Sequence, residues 1–545
     1  MSRYPRWLWI FALAALLLTT LPYLLGFAVQ GNDWRFSGFV FGVEDGHSYM
    51  AKMLRGAAGN WLFETPYTAL EQGGVLAFFP YILLGKLSAP PGQYEQLVVL
   101  FQVFRWVGGL MLFMALYDFI RLFIADESWR RWGVALASLG GGLGWMLILL
   151  GKGSWLGSLP LDLYSPETFG FLALLGLPHL LVARAMLLWG FVAYLNPESA
   201  PWRAGFIWLW MGFFQPLNVP LAWVLVAAHW LVVYARDVWQ LRGEPSTSLT
   251  WQIWLRRALG AAAVSAPLVI YTFSAFNADP VLRQWTAQNL ILSPHPLQYL
   301  AAYGLLMPLS LMGLRRVWRN WTQLAALLVV WTLALPLLVY APYNLQRRLA
   351  EGFWVAWVVL ALLALDRRPP TQRRESTNFL WFVPSRLCDK APTIIFWLTF
   401  PTTIILYLGS LLTVLHPAEP LFHPVAEIDA YTVLSTIAPA DSVVLSAFET
   451  GNLIPAYAPV FVVIGHGPES VGLAELKPRV EEFFSADTLD SQRLALLDEF
   501  NVNLIVWGPH ERSLGNWNPA DAAYLQSVYN NNGYEIFEFP RNKQR

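Results

Sequence analysis

Apolar residues fill this chain in long uninterrupted runs, not in the short alternating patterns of a soluble domain. Residues 7–29 (WLWIFALAALLLTTLPYLLGFAV) are uncharged and follow Arg3 and Arg6. As a helix rising ~1.5 Å per residue the run is about 34 Å long, enough to cross a bilayer. It exceeds the apolar core of a signal peptide and no small-residue cleavage site follows it, so a retained span is expected. Further runs lie at 97–120, 131–151, 168–195, 203–235, 258–275, 297–314, 322–341, 352–365 and 393–415, with a shorter one at 74–88. Together they predict about 10–12 spans. Two stretches stay open: 74–88 reads as spanning or re-entrant, and 203–235 as one span or as two short helices broken at Gln215-Pro216.

Past residue 416 the pattern changes. The runs SVVLS (442–446), VFVVIG (460–465), NLIVWG (503–508) and YEIFEF (534–539) are strand-like and alternate with helical stretches, the signature of a small α/β domain. The expected architecture is an α-helical polytopic membrane domain over 1–415, with a first outer loop at 30–73, and a small C-terminal α/β domain over 416–545.

Composition agrees with this division. The chain is 56% hydrophobic and 13% charged, about half the ~25% charge of a soluble protein. Its net charge of zero hides an asymmetry: residues 416–545 carry 7 Lys/Arg against 17 Asp/Glu. That acidic tail has no basic stripe, which excludes nucleic-acid binding. The single cysteine, Cys388, excludes an intrachain disulfide. Basic connections mark the cytoplasmic side: Arg236, Arg242, Arg256 and Arg257 in 236–257, Arg315, Arg316 and Arg319 in 315–319, and Arg367, Arg368, Arg373, Arg374, Arg386 and Lys390 in 366–391. The span 393–415 then runs outward. A multi-pass protein of the cell (plasma) membrane is expected, with its C-terminal domain and the loop after residue 29 both extracytoplasmic.

The stretch FGVEDGHSYMAKMLRGAAGNWLFETPYT (41–68) is the richest in candidate chemistry. Glu44 and Asp45 are adjacent carboxylates, and Gly46 is expected to let the backbone turn them toward a cavity. Met50, Met53, Leu54 and Ala57 recur at helical spacing, which predicts a helix over 47–59 lying along the membrane interface. Asp45 has two readings: a carboxylate that takes a proton or, with Glu44, binds a divalent cation, or a helix N-cap. His47 is a further candidate beside them.

Arg347 and Arg348 in PYNLQRRLAEG (342–352) fall on an outer connection, against the positive-inside tendency. They read either as a clamp on a phosphate or as partners of Glu351 or of lipid headgroups. The span 168–195 follows Glu167, is broken at Pro178-His179 and holds Arg184 within apolar sequence. Ionisable groups at membrane depth face a cavity or a partner, so His179 and Arg184 are cavity candidates, with Asp162 or Glu167 as a second acid; a structural kink is the other reading. Arg105 in 97–120 is similar. GGGLG (140–144) reads as close helix packing inside a span. GHGPES (465–470) reads as a turn, with His466 and Glu469 as candidate substrate contacts.

The outer acidic pair followed by an interface helix resembles the type C glycosyltransferase superfamily, integral membrane enzymes similar to protein mannosyltransferases and lipid A aminoarabinose transferases. EDGHSYMAKMLRG, SPHPLQYLAAYG (293–304), PYNLQRRLAEG and GHGPES resemble a bacterial group of such proteins. The chain departs from the aminoarabinose transferases in lacking a Lys-Pro-Pro-Leu-like segment. The resemblance implies a sugar moved from a polyprenyl-phosphate donor, drawn from membrane lipid, to a glycan, lipid or protein acceptor. It implies Asp45 on the acceptor hydroxyl, Glu44 beside it, a divalent cation on that pair if one is used, and Arg347 and Arg348 on the donor phosphate. The alternative is a lipid or solute transporter or flippase that binds charged cargo with the same residues; the internal repeats common in transporters are absent from the sequence.

Overall fold

The computed structural model describes residues 4–240, 250–365 and 385–540. Arg367, Arg368, Arg373, Arg374 and Pro369-Pro370 of the 366–391 connection, and Arg242, lie outside the described residues, as do the side chains of Arg386, Cys388 and Lys390.

In chain order the elements are α1 (Arg6–Val29), β1 (Trp34–Phe36), α2 (Val43–Ala57), α3 (Phe79–Gly85), α4 (Gln93–Ile120), α5 (Glu127–Leu139), α6 (Gly144–Leu149), α7 (Gly170–Gly176), α8 (Pro178–Leu195), α9 (Arg203–Phe214), α10 (Asn218–Gln240) and α11 (Thr250–Ala278). There follow α12 (Pro280–Gln288), α13 (Pro296–Gly304), α14 (Met307–Arg319), α15 (Ala326–Val339), α16 (Phe353–Leu365), α17 (Ser385–Thr399) and α18 (Pro401–Val414). The last part holds β2 (Phe422–Pro424), α19 (Val425–Ile437), β3 (Val443–Leu445), α20 (Phe448–Tyr457), β4 (Phe461–Val462), α21 (Leu473–Phe483), α22 (Asp490–Glu499), β5 (Val502–Trp507), α23 (Pro509–Leu514), β6 (Gln526–Asn531) and β7 (Tyr534–Glu538).

Among the described residues 7 helices are long and apolar enough to cross a membrane, or up to 8 if the pair α13 and α14, bent by 83°, is one span. The sequence expectation of about 10–12 counted several runs that the backbone breaks. The run 203–235 is two helices, interrupted at Gln215-Pro216; 168–195 divides between α7 and α8, where Pro178 takes the first helical position. The run 131–151 stops at Gly140 and restarts at Gly144, and 74–88 forms only the seven-residue α3.

The chain forms two compact units: residues 1–20, 104–271 and 291–409 in the first, and 21–103, 272–290 and 410–545 in the second. The first is helical. Its close helix contacts rest on glycine, since a Cβ at Gly313 would collide with the Leu360 carbonyl of α16. Arg105 is fully buried there and donates to Thr19 Oγ1 (2.9 Å), Thr20 Oγ1 (2.6 Å) and the Leu174 carbonyl (3.0 Å). A guanidinium so engaged braces the helices it joins.

The second unit is built on a five-stranded sheet of order β4-β3-β5-β7-β6. β3 pairs parallel with β4 and β5, whereas β7 runs antiparallel to β5 and β6. Alternate residues serve opposite faces. Val444, Leu504, Val506 and Ile536 join Tyr431, Leu434, Leu453 and Ile454 from α19 and α20 in one core. Leu445, Ile505 and Phe537 join Leu476, Val480 and Leu497 from α21 and α22 in the other. All four expected strands are present. β6 was not expected, because an exposed edge strand with the sequence QSVYNN carries no apolar period.

Candidate active site in the second unit

The acidic pair lies in the first turn of α2. The helix begins after Gly42, held in the left-handed region at φ 60°, and no side chain caps it. Asp45 is therefore the third helical residue and not the N-cap. Gly46 is inside the helix, so its role is closeness of approach and not turning: a Cβ there would stand 2.5 Å from the Phe39 ring. The predicted stripe does not make an interface helix either. Both its apolar residues Met50, Met53 and Leu54 and its charged residues Lys52 and Arg55 are buried, because α2 packs against α3 and α20.

Burying those charges requires partners. Glu469, from the GHGPES turn, accepts from Lys52 Nζ (2.6 Å), Ser48 Oγ (2.7 Å) and Thr65 Oγ1 (2.8 Å). Burial alone would push its carboxyl up, but Lys52 and His466 outweigh that and hold it below the ordinary range. Arg55 pairs with Asp441 (2.5 Å) and Glu64 (2.9 Å). The turn is fixed in place: Ser470 Oγ accepts from the amides of Gly465 (2.9 Å) and His466 (3.0 Å).

The contacts that run from Lys52 through Glu469 and His466 end on a carboxylate that reaches solvent. His466, itself buried, holds Asp45 Oδ1 at 3.3 Å through Nε2 and faces Glu469 Oε1 at 3.6 Å through Nδ1, while the Asp45 side chain is 57% exposed. An imidazole that orients a carboxylate is the arrangement by which a catalytic base is held in one direction. Sequence reading places His466 in a turn and offers it as a candidate substrate contact; its separation from Asp45 by 421 residues carries no local signal that the two meet. Glu44 is exposed beside Asp45. His47 points inward: Nδ1 meets Asn452 Oδ1 at 2.8 Å, and burial, with His423 and His466 nearby, lowers its pKa to about 3. His47 is thus neutral and its place is behind the acidic pair.

The first unit brings four other candidates together. Arg184 in α8 forms a buried ion pair with Glu351 and donates to the carbonyls of Pro166 (2.5 Å) and Glu167 (2.8 Å). Glu167 in turn lies 3.4 Å from Arg348 Nε. Arg347 stacks over the Tyr164 ring at 4.8 Å, and its buried Nε has no hydrogen-bond partner. His179 sits half-buried at the start of α8. Asp162 is buried elsewhere in this unit, accepting from the amides of Gly142 (2.9 Å) and Gly144 (3.1 Å) and from Thr402 Oγ1 (2.7 Å). GGGLG is accordingly a break between helices whose amides hold a carboxylate, and not the interior of a span.

No protein-family model and no curated protein sequence matches the chain. Solved structures do. The oligosaccharyltransferase AglB from Archaeoglobus fulgidus, in complex with an inhibitory peptide and a dolichol-phosphate, superposes with a TM-score of 0.53 at 14% identity, over 92% of this chain and 69% of that one. The arabinofuranosyltransferase AftD from Mycobacteria gives a TM-score of 0.56 at 14% identity, over 100% of this chain and 42% of that one. The fold is that of the type C membrane glycosyltransferases. AglB tethered to an acceptor peptide with the NVT sequon gives 0.51 at 15% identity, over 91% of this chain and 69% of that one. At such identities the type C likeness speaks for the fold alone, and the second unit's Asp45 and His466 must be judged on their own geometry.

Proposed function

We propose that this protein is a membrane glycosyltransferase that moves a sugar from a polyprenyl-phosphate donor to an acceptor at the outer membrane face. The observation that carries the reading is Asp45, a carboxylate open to solvent at the end of an otherwise buried network and aimed by His466, on a chain with the type C fold. The acceptor hydroxyl gives its proton to Asp45 as its oxygen bonds to the anomeric carbon. The bond from that carbon to the phosphate oxygen breaks, and polyprenyl phosphate departs with the electron pair. Glu44 adds a second negative charge that helps hold the acceptor or a cation. Arg347 and Arg348, in the first unit, offer guanidinium groups that match phosphate oxygens. The dolichol-phosphate carried by AglB supports a donor of this lipid class. The basic connections at 236–257 and 315–319, read as cytoplasmic, support an extracytoplasmic C-terminal domain in the plasma membrane.

The test is turnover of purified protein with polyprenyl-phosphate sugars and a membrane lipid extract, followed by mass spectrometry of released polyprenyl phosphate and glycosylated product. Asp45→Asn is expected to lower turnover by about 10²–10⁴-fold with thermal stability unchanged, because the side chain is largely exposed. Undiminished transfer by that variant would remove Asp45 from the chemistry.

A further inference from the structure

The chain that leaves α18 carries Glu419, His423 and Glu427. One ligand-capable atom from each lies within 4.8 Å of the others, the one such group of three among the described residues; Glu44 and Asp45 are not in it. The local fold explains the convergence. His423 is the central residue of β2, in register with Arg35 of β1, and Glu427 follows one helical turn later in the first turn of α19. A turn over 418–422, closed by the Phe422 amide on the Ala418 carbonyl (3.1 Å), brings Glu419 alongside.

Two features separate this group from an ordinary acidic patch. The first is burial: Glu427 is 2% exposed and His423 8%. The second is spacing. His423 Nδ1 stands 3.2 Å from Glu427 Oε2, about the separation of two donors that each lie ~2.0–2.1 Å from one tetrahedral ion. Nδ1 is thus the ring nitrogen turned toward the group. The Glu427 carboxylate is itself positioned, by Tyr431 Oη at 2.8 Å.

We propose that Glu419, His423 and Glu427 form a divalent-cation site of the zinc class. One imidazole and two carboxylates give three protein ligands, which leaves a fourth tetrahedral position for water, and the nitrogen donor favours a transition metal over magnesium or calcium. Glu419 is the gate of the site: it is exposed and now lies 3.5 Å from His510 Nε2, a contact it exchanges for the ion. The site stands on the strand paired with β1, so the ion pins the segment between the last span and the sheet. The inference does not rest on glycosyl transfer.

Metal-stripped full-length protein in detergent is dialysed against zinc, and separately against magnesium, and bound metal is counted by mass spectrometry; zinc-dependent thermal unfolding is recorded alongside. One zinc per chain is expected, with no magnesium, and a rise in Tm on zinc addition. Glu419→Gln, which alters an exposed side chain and leaves the metal-free Tm in place, is expected to weaken zinc binding by about tenfold or more and to abolish the Tm rise; His423→Gln is expected to remove both. Zinc retained equally by both variants, no zinc in the wild type at micromolar concentration, or loss of zinc in Asp45→Asn would overturn the assignment.

Discussion

The two units bury ion pairs of similar depth and finish them differently. In the first, Arg184 and Glu351 are 3% and 1% exposed, and Arg184 Nη2 donates to two carbonyls of the same region. In the second, Lys52 and Glu469 are 1% and 4% exposed, but the contacts continue through His466 to a carboxylate that is 57% exposed. A sealed pair can brace a fold and do nothing else. A buried network with one open end holds a reactive group in a fixed direction while leaving it able to meet a substrate, which is why Asp45 is the group we assign to chemistry.

Removing one partner of a buried pair gives the largest expected effect. Glu469→Gln leaves Lys52 charged and unpaired, at a cost of about 3–5 kcal/mol, seen as a marked fall in Tm; adding Lys52→Met should recover most of it. A double variant no more stable than the single would show that Glu469 matters for something other than the ion pair. The same carboxylate sets a pH dependence. Its folded pKa lies below the unfolded value near ~4.3, so its stabilisation is complete above that value and is lost as pH falls through the folded pKa. Wild-type Tm should drop in that acidic range more steeply than the Tm of the Lys52→Met, Glu469→Gln double variant.

Packing at the open end comes next. Gly46→Ala drives a methyl group into Phe39 and is expected to cost about 1–3 kcal/mol and to lower turnover by displacing Asp45; a neutral substitution would mean that the first turn of α2 yields easily. The smallest effect belongs to Asp441→Asn. Its side chain is 63% exposed where it meets Arg55, and a solvent-screened pair of this kind contributes about 0–1 kcal/mol, so Tm should scarcely move, and less still at high salt.

The sequence alone determined the elements whose signals are local. Apolar runs foretold the helical membrane part, the break at Pro178-His179 came from a residue that cannot continue a helix, and the four apolar strands declared themselves by length and flanking turns; 203–235 stayed open between one span and two, and the structure breaks it at Gln215-Pro216. The acidic pair and the arginines of α8 and the 346–350 turn stood out as charges in apolar or outer sequence. What only tertiary structure decided is where α2 lies and who its partners are. Its amphipathic period is the same whether lipid or protein covers it, and the protein covered it on both sides with α3 and α20. His466 and Glu469 join Asp45 and Lys52 across more than 400 residues. Periodicity is a property of neighbours along the chain, whereas a site is a property of neighbours in space, and folding alone brings the second set together.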